Sequence, residues 1–266
     1  MPAAAPRQIV LIVLDDVPRN TLGAYGARHG LSPHIDSLTS DGVTFENAFT
    51  VAPLCTPARF ALLSGRHAAN ATSISSHRPW NLVGFNTFLT GEERTLPSAL
   101  RAHGYDSCFV GKYHLGFPLP SSMRVGRAAF SGGGRGLEYA DMAKAVRERG
   151  GFDEAPAVFA GNKQTASSAH HPEWMAREAT RCLQAAKAQR KPIFLYYAPT
   201  LPHAPFSLPD SLLKANVSST PAGPIEPHPQ WADERAKLLA RLQASGHVCA
   251  SHVDRCAANA STGATC

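Results

Sequence analysis

Residues 9–16 read IVLIVLDD, a run of six aliphatic residues that ends in two carboxylates, Asp15 and Asp16. A continuous aliphatic run of this length is typical of a parallel strand that is covered on both faces of its sheet. A second six-residue run, Ile193–Ala198, has the same character and also leads toward a polar residue, His203. The sequence therefore predicts two buried, parallel strands, Ile9–Leu14 and Ile193–Ala198.

Helical and strand-like segments alternate between and beyond these two runs. The pattern predicts strands over Val43–Thr50 and Asp106–Val110, and helices after Pro33, from Pro57, and over Leu96–His103, Glu173–Arg190 and Trp231–Ala244. Residues 117–170 and 202–229 are weakly patterned or rich in proline, so we predict loops there. Alternation of this kind indicates an α/β fold with a mainly parallel central sheet and helices on both faces. We expect one domain over residues 1–245 and an atypical, disordered tail over 246–266.

Composition excludes several classes of protein. Of the 266 residues, 44% are hydrophobic and 17% are charged, which argues against a disordered chain. The longest apolar runs have six residues, whereas a membrane-spanning helix needs roughly 20, so we expect no membrane span. The net charge of +6 comes from scattered basic residues, which favours a small anionic substrate over nucleic acid. The N-terminus lacks the features of a signal peptide, and we expect a cytoplasmic protein.

The six cysteines do not have the spacing of a disulfide framework. Cys55, Cys108 and Cys182 are far apart in the chain and have apolar or helical neighbours, so we predict that they are not paired. The other three lie in the C-terminal tail. Two of them form, with two histidines of the tail, a candidate zinc site of unusual spacing: His247, Cys249, His252 and Cys256.

Polar side chains follow the predicted strands where ligands bind in open α/β sheets, beyond the carboxyl ends. These residues are Asp15, Asp16, Lys112, His114 and His203. The adjacent carboxylates repel each other, and a hard divalent cation would relieve that repulsion. A helix cap or an exposed turn is the alternative interpretation of the pair. Lys112 is suited to hold an anionic oxygen, and His114 to exchange protons near neutral pH. A surface lysine and a capped histidine are the alternative.

Cys55 begins the segment CTPAR and stands at the predicted start of a helix, with Arg59 four residues later on the same helical face. The free N–H groups and positive dipole end of a helix N-terminus stabilise an anion or an activated nucleophile. A small buried cysteine that packs under the helix is the alternative. His203 lies between Pro202 and Pro205, so it is either a rigidly positioned polar group or part of a plain turn.

Taken in this order, the segments resemble the sulfatase family of the alkaline-phosphatase superfamily. The stretch PLCTPAR at 53–59, followed by LLSG at 62–65, is similar to the first signature of the family. The segment 104–114, GYDSCFVGKYH, is similar to the second, and residues 9–16, 22–26 and 32–36 resemble the N-terminal stretch. The resemblance covers residues 8–116 most strongly and returns at 193–205.

The resemblance implies a sulfuric ester hydrolase with an alkaline-phosphatase-like fold. The resemblance also implies that a separate formylglycine-generating enzyme oxidises Cys55 to formylglycine, whose hydrate is the nucleophile. Asp15, Asp16 and the modified Cys55 would bind Ca²⁺ or Mg²⁺. Arg59 would orient the hydrate and His114 would assist its deprotonation, while Lys112 and His203 would contact the sulfate. The implied substrate is a small-molecule or glycan sulfate ester.

The chain departs from the family pattern after His203. The family has a further Asp-Asn metal pair and a further lysine, and no Asp-Asn pair follows His203 here. We therefore expect a sulfatase cut short at its C-terminus, with impaired activity. The alternatives are a phosphonate or phosphate ester hydrolase that uses the same site, and a non-catalytic sulfatase-like remnant.

Overall fold

A four-stranded parallel sheet forms the centre of the computed structural model, which describes residues 7–27, 32–75, 83–84, 87–115, 139–161 and 172–203. The strands are β1 (Gln8–Ile12), β2 (Asp106–Lys112), β3 (Glu154–Phe159) and β4 (Ile193–Ala198). Their order is β1-β4-β2-β3, and every neighbouring pair is parallel. All four carboxyl ends therefore meet at one edge, as the sequence predicted for its polar residues.

Six α-helices accompany the sheet in the described part of the chain. They are α1 (Pro33–Asp36), α2 (Cys55–Ser64), α3 (Thr72–Ser75), α4 (Leu96–Arg101), α5 (Tyr139–Glu148) and α6 (Pro172–Gln189). Short 3₁₀ turns occupy Arg19–Thr21, Gly23–Tyr25, Ser37–Thr39 and Ala68–Asn70. Helix α4 begins with a capping box, in which Thr95 and Ser98 satisfy each other's backbone N–H groups.

The helices cover both faces of the sheet. Alternate residues of a strand point to opposite faces, and the buried residues divide accordingly into two cores. One core joins strand residues such as Phe109 and Tyr196 to α2 and α5 through Phe60 and Val146. The other joins Val110 and the remaining inward residues of β3 and β4 to α6. The predicted α/β architecture with helices on both faces is confirmed.

The first strand is parallel, as predicted, but the prediction that it is buried is wrong. Strand β1 lies at the edge of the described sheet and pairs only with β4 among the described strands. Its residues Ile9, Val10 and Ile12 are 37%, 45% and 51% exposed. The predicted strand over Val43–Thr50 is also wrong, because this exposed segment has no strand partner within the described residues.

The loop predicted over residues 117–170 contains two regular elements, α5 and β3. Strand β3 contains Pro156, and proline inside an apolar run argues against a strand because it cannot donate a ladder hydrogen bond. The sheet accommodates it because β3, paired with β2 on one side, lies at the edge of the sheet that the described residues form. Helix α5 is rich in alanine and carries only a narrow apolar face, of which Ala143 and Val146 are buried.

Gly111 fixes how closely β2 approaches β4. Its φ is +116°, and a Cβ atom there would lie 2.0 Å from the carbonyl oxygen of Ala198, its partner in the register. Only glycine fits such a backbone approach. The next residue along β2 is Lys112, so this contact sets the position of a candidate functional side chain.

The structure corrects the prediction that the first three cysteines are unpaired. Cys108 of β2 and Cys182 of α6 form a disulfide across a sequence separation of 74 residues. Glu154 lies beside them, with its carboxylate within 4.8 Å of both sulfurs, but the sulfurs are bonded to each other and are not thiolate ligands. The expected cytoplasmic location stays a prediction.

Other predictions fall outside the described residues: the helix over Trp231–Ala244, the domain boundary at residue 245, the disordered tail and its candidate zinc site. Among the described helices, none combines the length and the apolar character that crossing a membrane requires.

Replacing Cys182 by serine should lower the free energy of unfolding by about 2–4 kcal/mol, because the cross-link restricts a long loop in the unfolded chain. Replacing the free Cys55 by serine should change it by less than about 1 kcal/mol. Urea unfolding of both variants and the parent under non-reducing conditions measures the difference. Equal effects of the two substitutions would contradict a stabilising disulfide.

Candidate active site

A buried ion cluster lies where β1 and β2 end. Asp15 follows β1, and its Oδ2 atom accepts a hydrogen bond from the Nζ of Lys112, the last residue of β2. The Arg59 guanidinium of α2 is 3.6 Å from the same oxygen. The Lys112 side chain is fully buried, and those of Asp15 and Arg59 nearly so. We call these three residues the ion cluster; it has two positive charges and one negative charge.

Helix α2 carries Cys55 to the same region. Cys55 is the first residue of α2 and Arg59 lies one turn further along it. Arg59 reaches across to β2, where its NH1 donates to the carbonyl oxygen of Lys112 at 2.8 Å. The helix that begins with the free, half-buried Cys55 thiol is thus fixed against both Asp15 and the end of β2.

Two residues just beyond the strand ends have left-handed backbones. Asp16 has a φ of +59° and His114 a φ of +53°. Such conformations are uncommon outside glycine and, where the surrounding structure enforces them, are concentrated at functional sites. Asp16 is exposed, whereas Asp15 and His114 are buried, so the two predicted carboxylates have different surroundings.

His114 is neutral near neutral pH in this arrangement. Burial lowers its pKa to about 3, and the nearby charges of Lys112 and Arg59 act in the same direction, against the opposite effect of Asp15. The sequence predicted a histidine that exchanges protons near neutral pH, but two buried cations disfavour a third positive charge. The half-buried His203 also lowers the pKa of His114, so the two histidines are near each other.

Tyr196 is a member of this site that the sequence analysis missed. It lies on β4, is 1% exposed and stacks on Phe109 with ring centroids 5.2 Å apart. Its hydroxyl forms a hydrogen bond with the Arg59 side chain, and burial raises its pKa. The sequence feature that could have identified it is a tyrosine within an otherwise apolar strand, because a buried hydroxyl needs a hydrogen-bond partner.

The arrangement can bind an anion near the start of α2. Lys112 and Arg59 supply the positive charge, and the start of α2 supplies free backbone N–H groups. Asp15 and Asp16 offer carboxylate oxygens, the ligands that Ca²⁺ and Mg²⁺ prefer. The donor set therefore fits a hard divalent ion, although Asp15 is already paired with two cations.

The low pKa of His114 makes stability depend on pH. Below its ordinary pKa of 6.5 the unfolded chain binds a proton that the folded chain does not, so stability falls as the pH falls from 6.5 toward 3. Between pH 7 and pH 5 this loss should be about 2 kcal/mol. Urea unfolding at both pH values should show that His114→Asn loses less stability between pH 7 and pH 5 than the parent does, by about 2 kcal/mol. A His103→Asn variant, altered at an exposed histidine, serves as the control and should behave like the parent.

Replacing Tyr196 by phenylalanine should lower the free energy of unfolding by about 1–3 kcal/mol, because a buried donor of Arg59 loses its acceptor. The neighbouring Tyr197 is only half-buried and packs on the opposite face, so Tyr197→Phe is the matched control and should cost less. Urea unfolding measures both. A Tyr196→Phe variant as stable as the control would show that this hydrogen bond is unimportant.

The chain is similar in sequence to known sulfatases. The family profile described as Sulfatase matches residues 7–261. The chain is 36% identical over 121 residues to N-acetylgalactosamine-6-sulfatase of Homo sapiens, which is 43% of this chain and 23% of the human protein. It is 27% identical over 262 residues to the protein of the same name from Rattus norvegicus, which covers 92% of this chain and 48% of the relative. The chain thus spans about half the length of this relative.

Solved structures show the same fold. The putative sulfatase yidJ from Bacteroides fragilis superposes with a TM-score of 0.55 at 21% identity, covering 81% of this chain and 49% of that one. A protein described in complex with its substrate D-glucosamine-2-N,6-O-disulfate superposes with a TM-score of 0.52 at 18% identity, over 74% of this chain and 35% of that one. With the match over residues 7–261, these findings show that the chain belongs to the sulfatase family and has its alkaline-phosphatase-like α/β fold.

Proposed function

We propose that the chain carries the catalytic centre of a hydrolase of sulfate esters that uses a formylglycine derived from Cys55. The observation that carries this proposal is the position of the ion cluster: Arg59, one helical turn after Cys55, contacts Asp15 and the end of β2. A nucleophile at residue 55 would therefore stand beside two buried cations, which is the environment that an anionic ester needs.

The roles follow from the surroundings of each residue. Lys112 would hold a sulfate oxygen and Arg59 would orient the hydrate, and both cations would stabilise the charge that develops in the transition state. His203, half-buried near His114, would contact the sulfate or the leaving oxygen. Asp15, Asp16 and the modified Cys55 would hold Ca²⁺ or Mg²⁺, which when bound supplies further positive charge at the sulfate.

A formylglycine hydrate at residue 55 would supply a nucleophilic hydroxyl and a covalent route to hydrolysis. This hydroxyl would lose its proton as its oxygen bonds to sulfur, the bond from sulfur to the alcohol oxygen would break, and the alcohol would leave with a proton. Loss of the proton of the second hydroxyl would then break the carbon–oxygen bond to the sulfate and restore the aldehyde, to which water would add again. His114 would accept the proton of the second step, since the bound sulfate opposes the positive charges that keep it neutral.

The substrate class is a glycan or small-molecule sulfate ester. N-acetylgalactosamine-6-sulfatase and steryl-sulfatase are among the relatives, and one protein of the same fold is described with a sulfated glucosamine. These names span sugars and sterols, so they support the sulfate group as the recognised element. Phosphonate or phosphate esters are the second candidates, because the net positive ion cluster suits any such anion.

We expect slow turnover from the chain itself. Ca²⁺ takes roughly 6–8 oxygen ligands, whereas the residues assigned here are two carboxylates and the modified Cys55. A less firmly held ion contributes less charge stabilisation, and each loss of about 1.4 kcal/mol in the transition state slows the reaction about tenfold. A non-catalytic sulfatase-like chain that only binds anions is the limiting case.

The experiment is co-expression with a formylglycine-generating enzyme, followed by peptide mass spectrometry and a chromogenic aryl sulfate assay. The peptide that contains residue 55 should show replacement of the thiol group by an aldehyde. Hydrolysis should be metal-dependent and only slightly above that of Cys55→Ala, the blank. Arg59→Met should return the rate to the blank, whereas Arg101→Met, which alters an exposed arginine, should not.

Two results would contradict the proposal. One is unmodified Cys55 beside a fully converted control sulfatase. The other is hydrolysis that is equally fast in Cys55→Ala. Faster hydrolysis of an aryl phosphate or phosphonate by the matured chain would instead select the second substrate class.

A further inference from the structure

Two kinds of cation can pair with the buried Asp15 carboxylate: the basic side chains of the chain itself and a divalent metal ion. Its Oδ2 accepts a hydrogen bond from the Lys112 ammonium, and Arg59 lies 3.6 Å from the same atom. The Lys112 side chain has no exposed surface, so Asp15 neutralises a charge that water does not reach. Yet Asp15 is also the buried member of the carboxylate pair assigned to the divalent ion.

From this arrangement we infer that Lys112 is a built-in competitor of the metal: it occupies the Asp15 carboxylate in the metal-free chain and has to release it before a divalent ion binds there. The inference rests on the proposed function for the identity of the metal site. It goes beyond that function by assigning Lys112 a second role, in metal loading.

The physical argument concerns like charges at one oxygen. A divalent ion that coordinates Oδ2 would stand in contact with the ammonium and close to the guanidinium, and such repulsion is strong where water is excluded. Breaking the ion pair instead leaves a buried ammonium without its counter-ion, which is costly. Whether Lys112 stays paired with Asp15 or is displaced, the metal binds more weakly than it would to the two carboxylates alone.

A negatively charged ester removes this cost, because a sulfate oxygen can replace Asp15 as the partner of Lys112. Metal and anion should then strengthen each other's binding, and any such coupling is reciprocal. The exchange involves no change in covalent bonds: Lys112 leaves one oxygen anion and takes another. Arg59 stays fixed through its bond to the carbonyl oxygen of Lys112.

The test is calorimetric titration of the folded full chain with Ca²⁺ alone. Lys112→Gln keeps an N–H donor for Asp15 but removes the charge, and it should bind Ca²⁺ at least about tenfold more tightly than the parent. Lys112→Arg keeps the charge and should bind no more tightly than the parent. Lys191→Gln, which alters an exposed lysine paired with Asp106, is the matched control and should leave the affinity unchanged. Asp15→Asn should abolish binding in the parent and in Lys112→Gln.

Equal or weaker Ca²⁺ binding by a folded Lys112→Gln, with binding still lost in Asp15→Asn, would overturn the inference and leave the proposed metal site intact. Absence of Ca²⁺ binding in every variant would overturn both the inference and the metal assignment. If Lys112→Gln does not fold, titration of the parent with Ca²⁺ in the presence and absence of inorganic sulfate provides the decision: sulfate should tighten Ca²⁺ binding. Unchanged Ca²⁺ affinity with sulfate would overturn the inference.

Discussion

One buried carboxylate, that of Asp15, organises the site. It receives Lys112 from the end of β2 and Arg59 from α2, so a strand end, a helix and the loop after β1 meet at a single oxygen. Removing a partner from such a cluster leaves a buried charge uncompensated, which typically costs several kcal/mol. The cluster therefore links the correct packing of three separate segments to the formation of the site.

The sequence predicted the inner strands of the sheet better than its edges. The runs over Asp106–Val110 and Ile193–Ala198 correspond to β2 and β4, which have neighbours on both sides. A strand that is buried on both faces requires a continuous apolar run, and such a run can be recognised in the sequence. Within the described sheet, β1 has the same pattern but lies at an edge, and β3 lies at the other edge and contains Pro156, which edge positions tolerate and central ones exclude. Composition does not reveal which strand becomes an edge.

The sequence identified the charged residues of the site more readily than the residues that pair with them. Asp15 and Lys112 could be named because each follows a predicted strand, and Arg59 because it lies one turn after the start of a predicted helix. Tyr196 was missed because a tyrosine in an apolar strand is indistinguishable from a core residue until its hydroxyl is seen against Arg59. The Cys108–Cys182 disulfide was missed for a related reason: its two cysteines are 74 residues apart, and only the packing of α6 on the sheet brings them together.

A sequence motif shows which charged groups are present, but it does not show which groups they pair with. A sequence with two adjacent carboxylates predicts a cation, but it does not say which cation, and here the cation next to Asp15 is a lysine of the chain itself. A buried anion needs one compensating partner rather than a particular one. An ammonium and a divalent ion are then alternatives at the same oxygen. Since Lys112 can satisfy Asp15 without any ligand, the fold can complete its core before metal or substrate is present. The stability of the metal-free chain and the weak metal binding that we propose would then have one cause.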